Sequence, residues 1–149
     1  IRYLGKKEAL NNIFFRLIYL IFDVIPIDVS SKSKKPIIEA VKALKNKNIV
    51  GIFPEGARTM DGKIHSGKTG VARLAILSNK TVVPVAIKNT YVLWSLYRRF
   101  PKIKRIVKIS IGKPMSFAHF RNKKISKRML RLMTDSIMKK IIQLYSDLG

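Results

Sequence analysis

Short apolar runs alternate along this chain with longer segments whose apolar residues recur at helical spacing, and this alternation is the strongest constraint on the fold. Strands are predicted at residues 23–29, 49–53, 81–87 and 105–111, and helices at residues 8–22, 36–46, 68–78 and 125–148. Alternating strands and helices with short connections indicate βαβ units. We therefore predict an α/β fold with a largely parallel sheet, flanking helices, and a C-terminal strand and amphipathic helix.

Two prolines and the last helix refine this prediction. Pro36 suits the first turn of its helix, where a missing N–H group costs little. Pro84 falls inside a predicted strand, so that strand is expected at a sheet edge or with a bulge. The last helix is predicted to bury one apolar stripe, consisting of Ile125, Met129, Leu132, Met133, Ile137, Ile141 and Leu144.

Composition excludes several classes of protein. The 149 residues are 47% hydrophobic, which is enough apolar material for a core and excludes a disordered basic tail. There is no cysteine, so a disulfide framework and a cysteine nucleophile are excluded. No apolar run reaches the roughly 18–20 residues that span a bilayer. Because the first residue is isoleucine, we expect one domain over residues 1–149 that is incomplete at its N-terminus.

The net charge of +23 calls for a polyanionic partner. Residues 98–149 hold 15 Lys and Arg against 2 acidic residues, a denser excess than in the rest of the chain. Nucleic acid and an anionic membrane leaflet both fit this charge, and a general bias toward lysine is a third explanation. We expect the contribution of this charge to partner binding to be concentrated in residues 98–131, where the side chains of Arg98, Arg99, Lys102 and Lys104 are predicted to face solvent.

Residues 62–69 fit the phosphate-loop pattern G-x-x-x-x-G-K-[ST] at every fixed position. The context is wrong for a nucleotide-hydrolysing loop, since such a loop follows directly from a buried strand. Here eight residues separate Phe53, at the end of the predicted strand, from Gly62. We interpret the match as accidental, and an NTPase stays a minor alternative.

Residues 53–59, Phe-Pro-Glu-Gly-Ala-Arg-Thr, lie just past the carboxyl end of a predicted strand, which is where α/β proteins place their binding and catalytic residues. A turn between Glu55 and Arg58 can hold a carboxylate and a guanidinium that face one cavity. Arginine is suited to bidentate recognition of phosphate. Spacing alone favours a solvent-facing salt bridge within the loop over such a site.

The same segment resembles a known family. Phe-Pro-Glu-Gly-x-Arg-[Ser/Thr], followed by Lys68-x-Gly70 and then by residues 82–87, is similar to the glycerolipid acyltransferases typified by 1-acylglycerol-3-phosphate acyltransferase. Residues 5–8 and 25–28 resemble the part of that family between its first and second sequence blocks. The likeness covers about residues 3–115, with two departures inside the blocks: Val29 replaces a usual arginine and Ala57 a usual threonine.

The resemblance implies a set of substrate-binding residues. Glu55 and Gly56 would shape the acceptor site, and Arg58 with Lys6 would hold the acceptor phosphate. The full implied set is Lys6, Phe53, Pro54, Glu55, Gly56, Arg58, Thr59, Lys68 and Gly70. No catalytic residue of the family matches this chain, because the expected Asn-His-x-x-x-x-Asp block would lie upstream of Ile1.

The two histidines do not replace that block. The positions five residues after His65 and His119 are Gly70 and Lys124, and neither is an aspartate. We therefore interpret His65 as a bystander in a flexible polar loop, and His119 as unremarkable.

The implied reaction transfers a fatty acyl group from acyl-CoA or acyl carrier protein to the free hydroxyl of a lysophospholipid, in phospholipid biosynthesis. No cofactor or metal is expected. The apolar helix and the basic surface suit a protein on the cytoplasmic face of an anionic membrane. The alternative is a nucleic-acid-binding module, for which the aromatic residues nearest the basic positions are Tyr91, Trp94, Tyr97 and Phe100.

Overall fold

Three short parallel strands form the sheet of the N-terminal half. In the computed structural model, which describes residues 1–11, 13–28, 34–93, 106–120 and 123–149, these strands are β1 (Arg2–Lys6), β2 (Ile25–Ile27) and β3 (Val50–Gly51). Their order is β2-β1-β3, with Leu4 opposite Ile25 and Tyr3 opposite Gly51. The predicted parallel sheet is therefore confirmed, although its central strand is one that the sequence pattern did not indicate.

The N-terminal helices connect these strands. The predicted helix at residues 8–22 is found as a 3-10 helix (Lys7–Asn11) and then helix α1 (Ile13–Ile21). Helix α2 (Lys35–Lys45) has Pro36 in its first turn, as predicted. The predicted strands at 23–29 and 49–53 are shorter in the structure, because only the residues that face β1 take part in the ladder.

The C-terminal half carries a second, antiparallel ladder. Helix α3 (Gly70–Ser78) leads to β4 (Val85–Lys88), which is followed by helix α4 (Thr90–Leu93), β5 (Lys108–Ile111), a 3-10 turn (Ala118–Phe120) and helix α5 (Lys127–Ser146). Strand β4 pairs antiparallel with β5 and has no pairing with the parallel sheet among the described residues. Thus the parallel prediction holds for β1–β3 but not for this pair.

Pro84 interrupts the second ladder as predicted. Val82 forms an isolated antiparallel bridge with Met115, and regular pairing resumes only at Val85. Pro84 has no N–H group to donate, but its carbonyl oxygen accepts a hydrogen bond of 2.9 Å from the Gly112 amide. The proline is therefore accommodated at an irregular step in the pairing.

Helix α3 lies between two groups of buried side chains. Its Leu74 packs with Ile25 and Ala40, on the side of the parallel sheet and α2. Its Ala72 and Ala75 pack against α5, in a cluster with Met129, Leu130 and Met133. The two alanines allow close approach of α5, so α3 joins both halves of the core.

Helix α5 buries a different stripe from the predicted one. Met129, Met133, Ile137 and Leu144 are buried as expected, whereas Leu132 is 59% exposed and Ile125, which precedes the helix, is 38% exposed. Leu130, Thr134 and Met138 are buried instead. Thr134 is tolerated in the core because its hydroxyl donates to the Leu130 carbonyl oxygen at 2.8 Å. Ser126 caps the N-terminus of the helix, and its side chain accepts a hydrogen bond from the Met129 amide.

Candidate functional site

The Glu-Gly-x-Arg motif lies in an irregular loop, residues 52–69, that connects β3 to α3. Strands β1 and β3 are parallel neighbours, so the loop and Lys6, the last residue of β1, leave the sheet at the same carboxyl edge. This edge is where parallel α/β sheets present functional groups. Only the backbone of Lys6 is described, and the role expected of its side chain stays a prediction.

The first turn of the loop packs against the start of the next helix. The Gly56 amide donates to the Phe53 carbonyl oxygen at 3.1 Å, and Gly56 has a φ of +71°. The Lys68 amide donates to the Pro54 carbonyl oxygen at 2.7 Å. A Cβ atom at position 56 would lie 3.1 Å from Nζ of Lys68. Pro54, Gly56 and Lys68 are thus brought together, in a turn that needs a residue without a side chain.

A carboxylate holds the middle of the loop. Oδ1 of Asp61 accepts from the Thr59 hydroxyl at 2.7 Å and from the Lys63 amide at 3.0 Å, and lies 2.9 Å from Nε2 of His65. These bonds, from Thr59 first, then from the Lys63 amide and the His65 ring, hold the pKa of Asp61 well below its usual range. Asp61 therefore stays ionised across the ordinary pH range and remains an acceptor for all three groups.

His65 connects that carboxylate to Glu55. Its backbone amide donates to Oε2 of Glu55 at 2.8 Å, while its ring contacts Asp61. His65 therefore has a structural part in the loop, and its interpretation as a bystander in catalysis stays a prediction. In the family motif the aspartate follows the histidine, whereas here the partner, Asp61, precedes His65 by four residues. The spacing of Asp61 and His65 in a Gly-rich loop was the signal available.

Glu55 lies on the wall of a cavity of about 290 Å³. The wall combines polar groups with aliphatic ones and is shared by the loop, the end of β4, α4 and α5: it is formed by Glu55, Thr59, Gly62, Lys63, Ile64, Ile87, Asn89, Thr90, Tyr91, Val92 and Tyr145. The Tyr91 hydroxyl donates to the Met60 carbonyl oxygen at 3.0 Å, which ties α4 to the loop. A cavity with a few polar groups on apolar walls is typical of small-molecule sites.

Only some of the expected site residues line this cavity. Glu55 and Thr59 line the cavity, whereas Arg58 is exposed and is not part of its wall. Phe53 is also largely exposed, at 63%. Gly70 begins α3, and a Cβ there would have no atom within 4 Å.

The far end of the loop is anchored on α5. Gly67 is buried, and its carbonyl oxygen accepts from Nη1 of Arg131 at 2.8 Å. A Cβ at Gly67 would lie 2.9 Å from Cγ of Met138. Strand β3 ends at Gly51, well before Gly62, which agrees with the rejection of a phosphate loop at residues 62–69. The loop is thus held by its own bonds and by a helix that is distant in sequence.

Some features are absent from the described part of the chain. Within residues 1–11, 13–28, 34–93, 106–120 and 123–149, no group of three or more His, Cys, Asp or Glu side chains could hold a metal ion. Over the same ranges, no helix has the length and apolar character needed to cross a bilayer. Trp94, Tyr97, Phe100, Arg98, Arg99, Lys102 and Lys104 lie outside the described residues. His119 is exposed, with its ring centroid 4.1 Å from that of Phe120.

Comparison with known proteins places these features in context. A family model described as Acyltransferase matches residues 1–88. The 1-acyl-sn-glycerol-3-phosphate acyltransferase of Bacillus subtilis is 29% identical over 148 residues, which are 99% of this chain and 70% of that protein. The enzymes of the same name from Limnanthes douglasii and Escherichia coli are each 32% identical, over 60% and 58% of this chain, and this chain spans about a third of their length.

A solved structure agrees with the fold. The crystal structure of the 1-acyl-sn-glycerophosphate (LPA) acyltransferase PlsC from Thermotoga maritima matches 95% of this chain with a TM-score of 0.62 and 22% identity. This chain covers 55% of the Thermotoga chain. At that identity the likeness establishes the α/β architecture.

Proposed function

The chain belongs to the acyltransferase family, and we propose that the enzyme of which it forms the acceptor-binding domain is a 1-acylglycerol-3-phosphate acyltransferase. The reaction would move a fatty acyl group from a thioester, acyl-CoA or acyl carrier protein, to the free hydroxyl of the lysolipid. The observation that carries the proposal is the position of Glu55, which is held by a backbone hydrogen bond on the wall of a cavity at the carboxyl edge of the sheet. Relatives that carry this enzyme name, which match 99% and 58% of the chain, support the same reaction.

In this proposal the loop binds the acceptor. The Glu55 carboxylate can accept a hydrogen bond from a hydroxyl, and the cavity of about 290 Å³ beside it is large enough for a glycerol unit. Arg58, exposed outside the cavity wall, is assigned to the acceptor phosphate, which would then project from the cavity mouth. Lys6 and the first turn of α3, with Lys68 before it, would add positive potential at the same edge of the sheet.

The chemistry also needs a general base. A lipid hydroxyl is a weak nucleophile near neutral pH, so a histidine must take its proton during attack on the thioester, and donors must stabilise the oxyanion that forms. By resemblance that histidine belongs to an Asn-His-x-x-x-x-Asp block upstream of Ile1. Residues 1–149 are proposed to be a single domain that supplies the acceptor-binding part of the site.

We further propose that the domain lies on an anionic membrane at the cytoplasmic face. Among the described side chains of helix α1 and the residue after it, five large apolar ones are exposed: Ile13 at 76%, Leu17 at 56%, Leu20 at 79%, Ile21 at 65% and Phe22 at 52%. An apolar helix face of this kind, in a chain of net charge +23, matches an interfacial helix beside anionic headgroups. Such contact would also deliver a lysolipid from the bilayer to the loop.

The test uses the enzyme expressed from its complete gene. Acyl transfer to 1-acylglycerol 3-phosphate is measured with acyl-CoA and with acyl carrier protein as donors, and then in Glu55→Gln. The proposal expects transfer from at least one donor and a loss in kcat/KM of about tenfold or more in the variant, from the loss of a hydrogen bond to a charged group. The exposed Arg73 on α3 supplies a control in Arg73→Ala, which should match the parent. No transfer from either donor would refute the proposal.

A further inference from the structure

We propose that Asp61 and His65 are positioning residues for acyl transfer, which act by holding the Glu55 carboxylate toward the acceptor. This inference rests on the proposed function, because it assigns Glu55 to the acceptor site. The three side chains belong to one loop and are linked in series: Asp61 to the His65 ring, and the His65 backbone amide to Glu55.

Asp61 is held in a fixed position within the loop. One of its oxygens, Oδ1, has three partners within 3.0 Å: the Thr59 hydroxyl, the Lys63 amide and Nε2 of His65. In addition, the Asp61 amide lies 3.4 Å from the Thr59 hydroxyl oxygen. An oxygen with partners before and after it in the sequence fixes the path of the chain through this turn.

Residue 65 is held in position by its side chain. Any residue there would carry the amide that donates to Glu55, so the bond itself does not require histidine. What the ring adds is an attachment to Asp61, four residues earlier, at 2.9 Å. The ring therefore sets where the amide lies, and with it where the amide directs Oε2 of Glu55 at 2.8 Å.

The amide of residue 65 in turn restricts the side chain of Glu55. A glutamate side chain has three rotatable bonds and, without a fixed partner, would sample several rotamers at the wall of the cavity. The bond from His65 selects one of them. Because the rotamer is selected before the acceptor arrives, less conformational freedom is lost on binding, so the gain should appear in acceptor affinity.

The alternative for the same pair is direct catalysis. A histidine beside an aspartate is the usual arrangement of a general base. Here the ring nitrogen Nε2 faces Asp61, and the amide of the same residue faces Glu55, so both contacts run within the loop. Positioning predicts a change in KM for the acceptor, whereas a general base predicts a loss of kcat, and the two roles are separated by kinetics.

The experiment measures kcat and both KM values in the enzyme expressed from its complete gene, with acyl-CoA and 1-acylglycerol 3-phosphate as substrates. The variants are His65→Ala, His65→Gln and Asp61→Asn, and the matched control is His119→Ala, which removes the other, exposed histidine. We expect His65→Ala to raise the acceptor KM about three- to tenfold, the range that one hydrogen bond supplies. The donor KM and kcat should change less than twofold, as should all three constants in the control.

Two further measurements connect the effect to Glu55. Glutamine can place an amide N–H near the position of Nε2, so His65→Gln should recover at least half of the lost acceptor affinity, counted in free energy. In a double-mutant cycle, His65→Ala made in a Glu55→Gln background should raise the acceptor KM less than twofold further, because the group that it positions is already altered. Thermal unfolding of each variant identifies any that fails to fold. If His65→Ala fails, Asp61→Asn, which conserves the side-chain volume, tests the same connection from Asp61 through His65 to Glu55.

The results that overturn the inference are distinct. A fall in kcat of a thousandfold with unchanged KM would make His65 the general base, and additive effects of His65→Ala and Glu55→Gln would make the pair independent of Glu55. Unchanged kinetics in His65→Ala and Asp61→Asn, or equal rises in both KM values without rescue by glutamine, would also refute it. An inactive parent enzyme refutes the proposed function instead, so the two failures are distinguishable.

Discussion

The side chain of Lys68 lies directly over Gly56, so that a Cβ atom on Gly56 would be 3.1 Å from both Cδ and Nζ of the lysine. The two residues belong to opposite ends of the loop that holds the Glu-Gly-x-Arg motif. Their contact, with the hydrogen bond from the Lys68 amide to the Pro54 carbonyl oxygen, closes the loop at its base. The loop is therefore an ordered structure whose backbone at position 56 is under conformational constraint.

Gly56→Ala should destabilise the protein by about 1–2 kcal/mol, because a φ of +71° is costly for a residue with a Cβ atom. The measurement is urea unfolding followed by circular dichroism. Gly70→Ala is the matched control, since a Cβ there meets no atom within 4 Å and position 70 is helical. It should leave stability unchanged or raise it by up to about 1 kcal/mol. Equal destabilisation in both variants would contradict the constraint at Gly56.

Arg58→Ala should raise the acceptor KM by about ten- to a hundredfold and the donor KM far less, because a charge-assisted hydrogen bond is worth about 1.5–3 kcal/mol. Steady-state kinetics of the enzyme expressed from its complete gene provide the measurement. Arg58→Lys should rescue only part of the loss, since an ammonium lacks the planar donor pair. Equal weakening of donor and acceptor would remove Arg58 from the phosphate-binding role.

The 149-residue chain by itself should transfer no acyl group from a thioester to 1-acylglycerol 3-phosphate above the rate without protein. The reason is that no histidine of this sequence has an aspartate five positions later. The only imidazole–carboxylate pair in the described ranges is His65 with Asp61. If transfer is nevertheless detected, its loss in His65→Ala would identify that pair as a general base and contradict the prediction.

Binding of the protein to vesicles should require both anionic lipid and the apolar face of α1. Replacing Leu17, Leu20 and Ile21 with serine removes exposed apolar area without opening a cavity, so it should release the protein from anionic vesicles while its melting temperature stays within a few degrees. Cosedimentation measures the bound fraction. Undiminished binding of the triple variant would exclude α1 as the membrane contact.

The basic contribution to vesicle binding should come from residues 123–128, which span the start of α5. Lys123, Lys124, Lys127 and Arg128 are all exposed, and their reversal to glutamate should weaken binding to anionic vesicles steeply, because roughly 1 kcal/mol per basic residue is lost near a charged leaflet. Added salt should weaken the parent in the same way. The control reverses four exposed lysines around α2: Lys34, Lys42, Lys45 and Lys47. Equal effects of the two reversals would favour a general bias toward lysine.

Asp61→Asn should lower the melting temperature at neutral pH, and the difference from the parent should shrink only in acid. The pKa of Asp61 is depressed in the folded protein, so the stability that its charge supplies is fully present above the ordinary aspartate pKa of about 3.9 and is lost as the pH falls below it. Melting curves at about pH 7, 5 and 3 check the sign. A difference that grows toward acid would show that the folded protein does not favour the charged form.

Sequence patterns predicted the helices and the place of the motif because both depend on neighbours in the chain. The helices at α2, α3 and α5 follow from apolar residues three and four positions apart, and the start of α2 from Pro36. The motif was expected after a strand, and it does follow β3. The similarity of that motif to acyltransferases agrees with the family model over residues 1–88.

Tertiary structure decided the strand partners and the geometry of the loop. Strand β1 has no β-branched run and is a strand because β2 and β3 supply partners on both sides, while β4 pairs with β5 instead of the parallel sheet. The bond from His65 to Glu55, and the exposure of Arg58 outside the cavity wall, depend on how the loop folds back on α3, α4 and α5. Periodicity records which face of a segment is apolar. It cannot record which backbone or side-chain groups satisfy that segment's hydrogen bonds, and that choice joined the His65 amide to Glu55 and the Lys68 amide to Pro54.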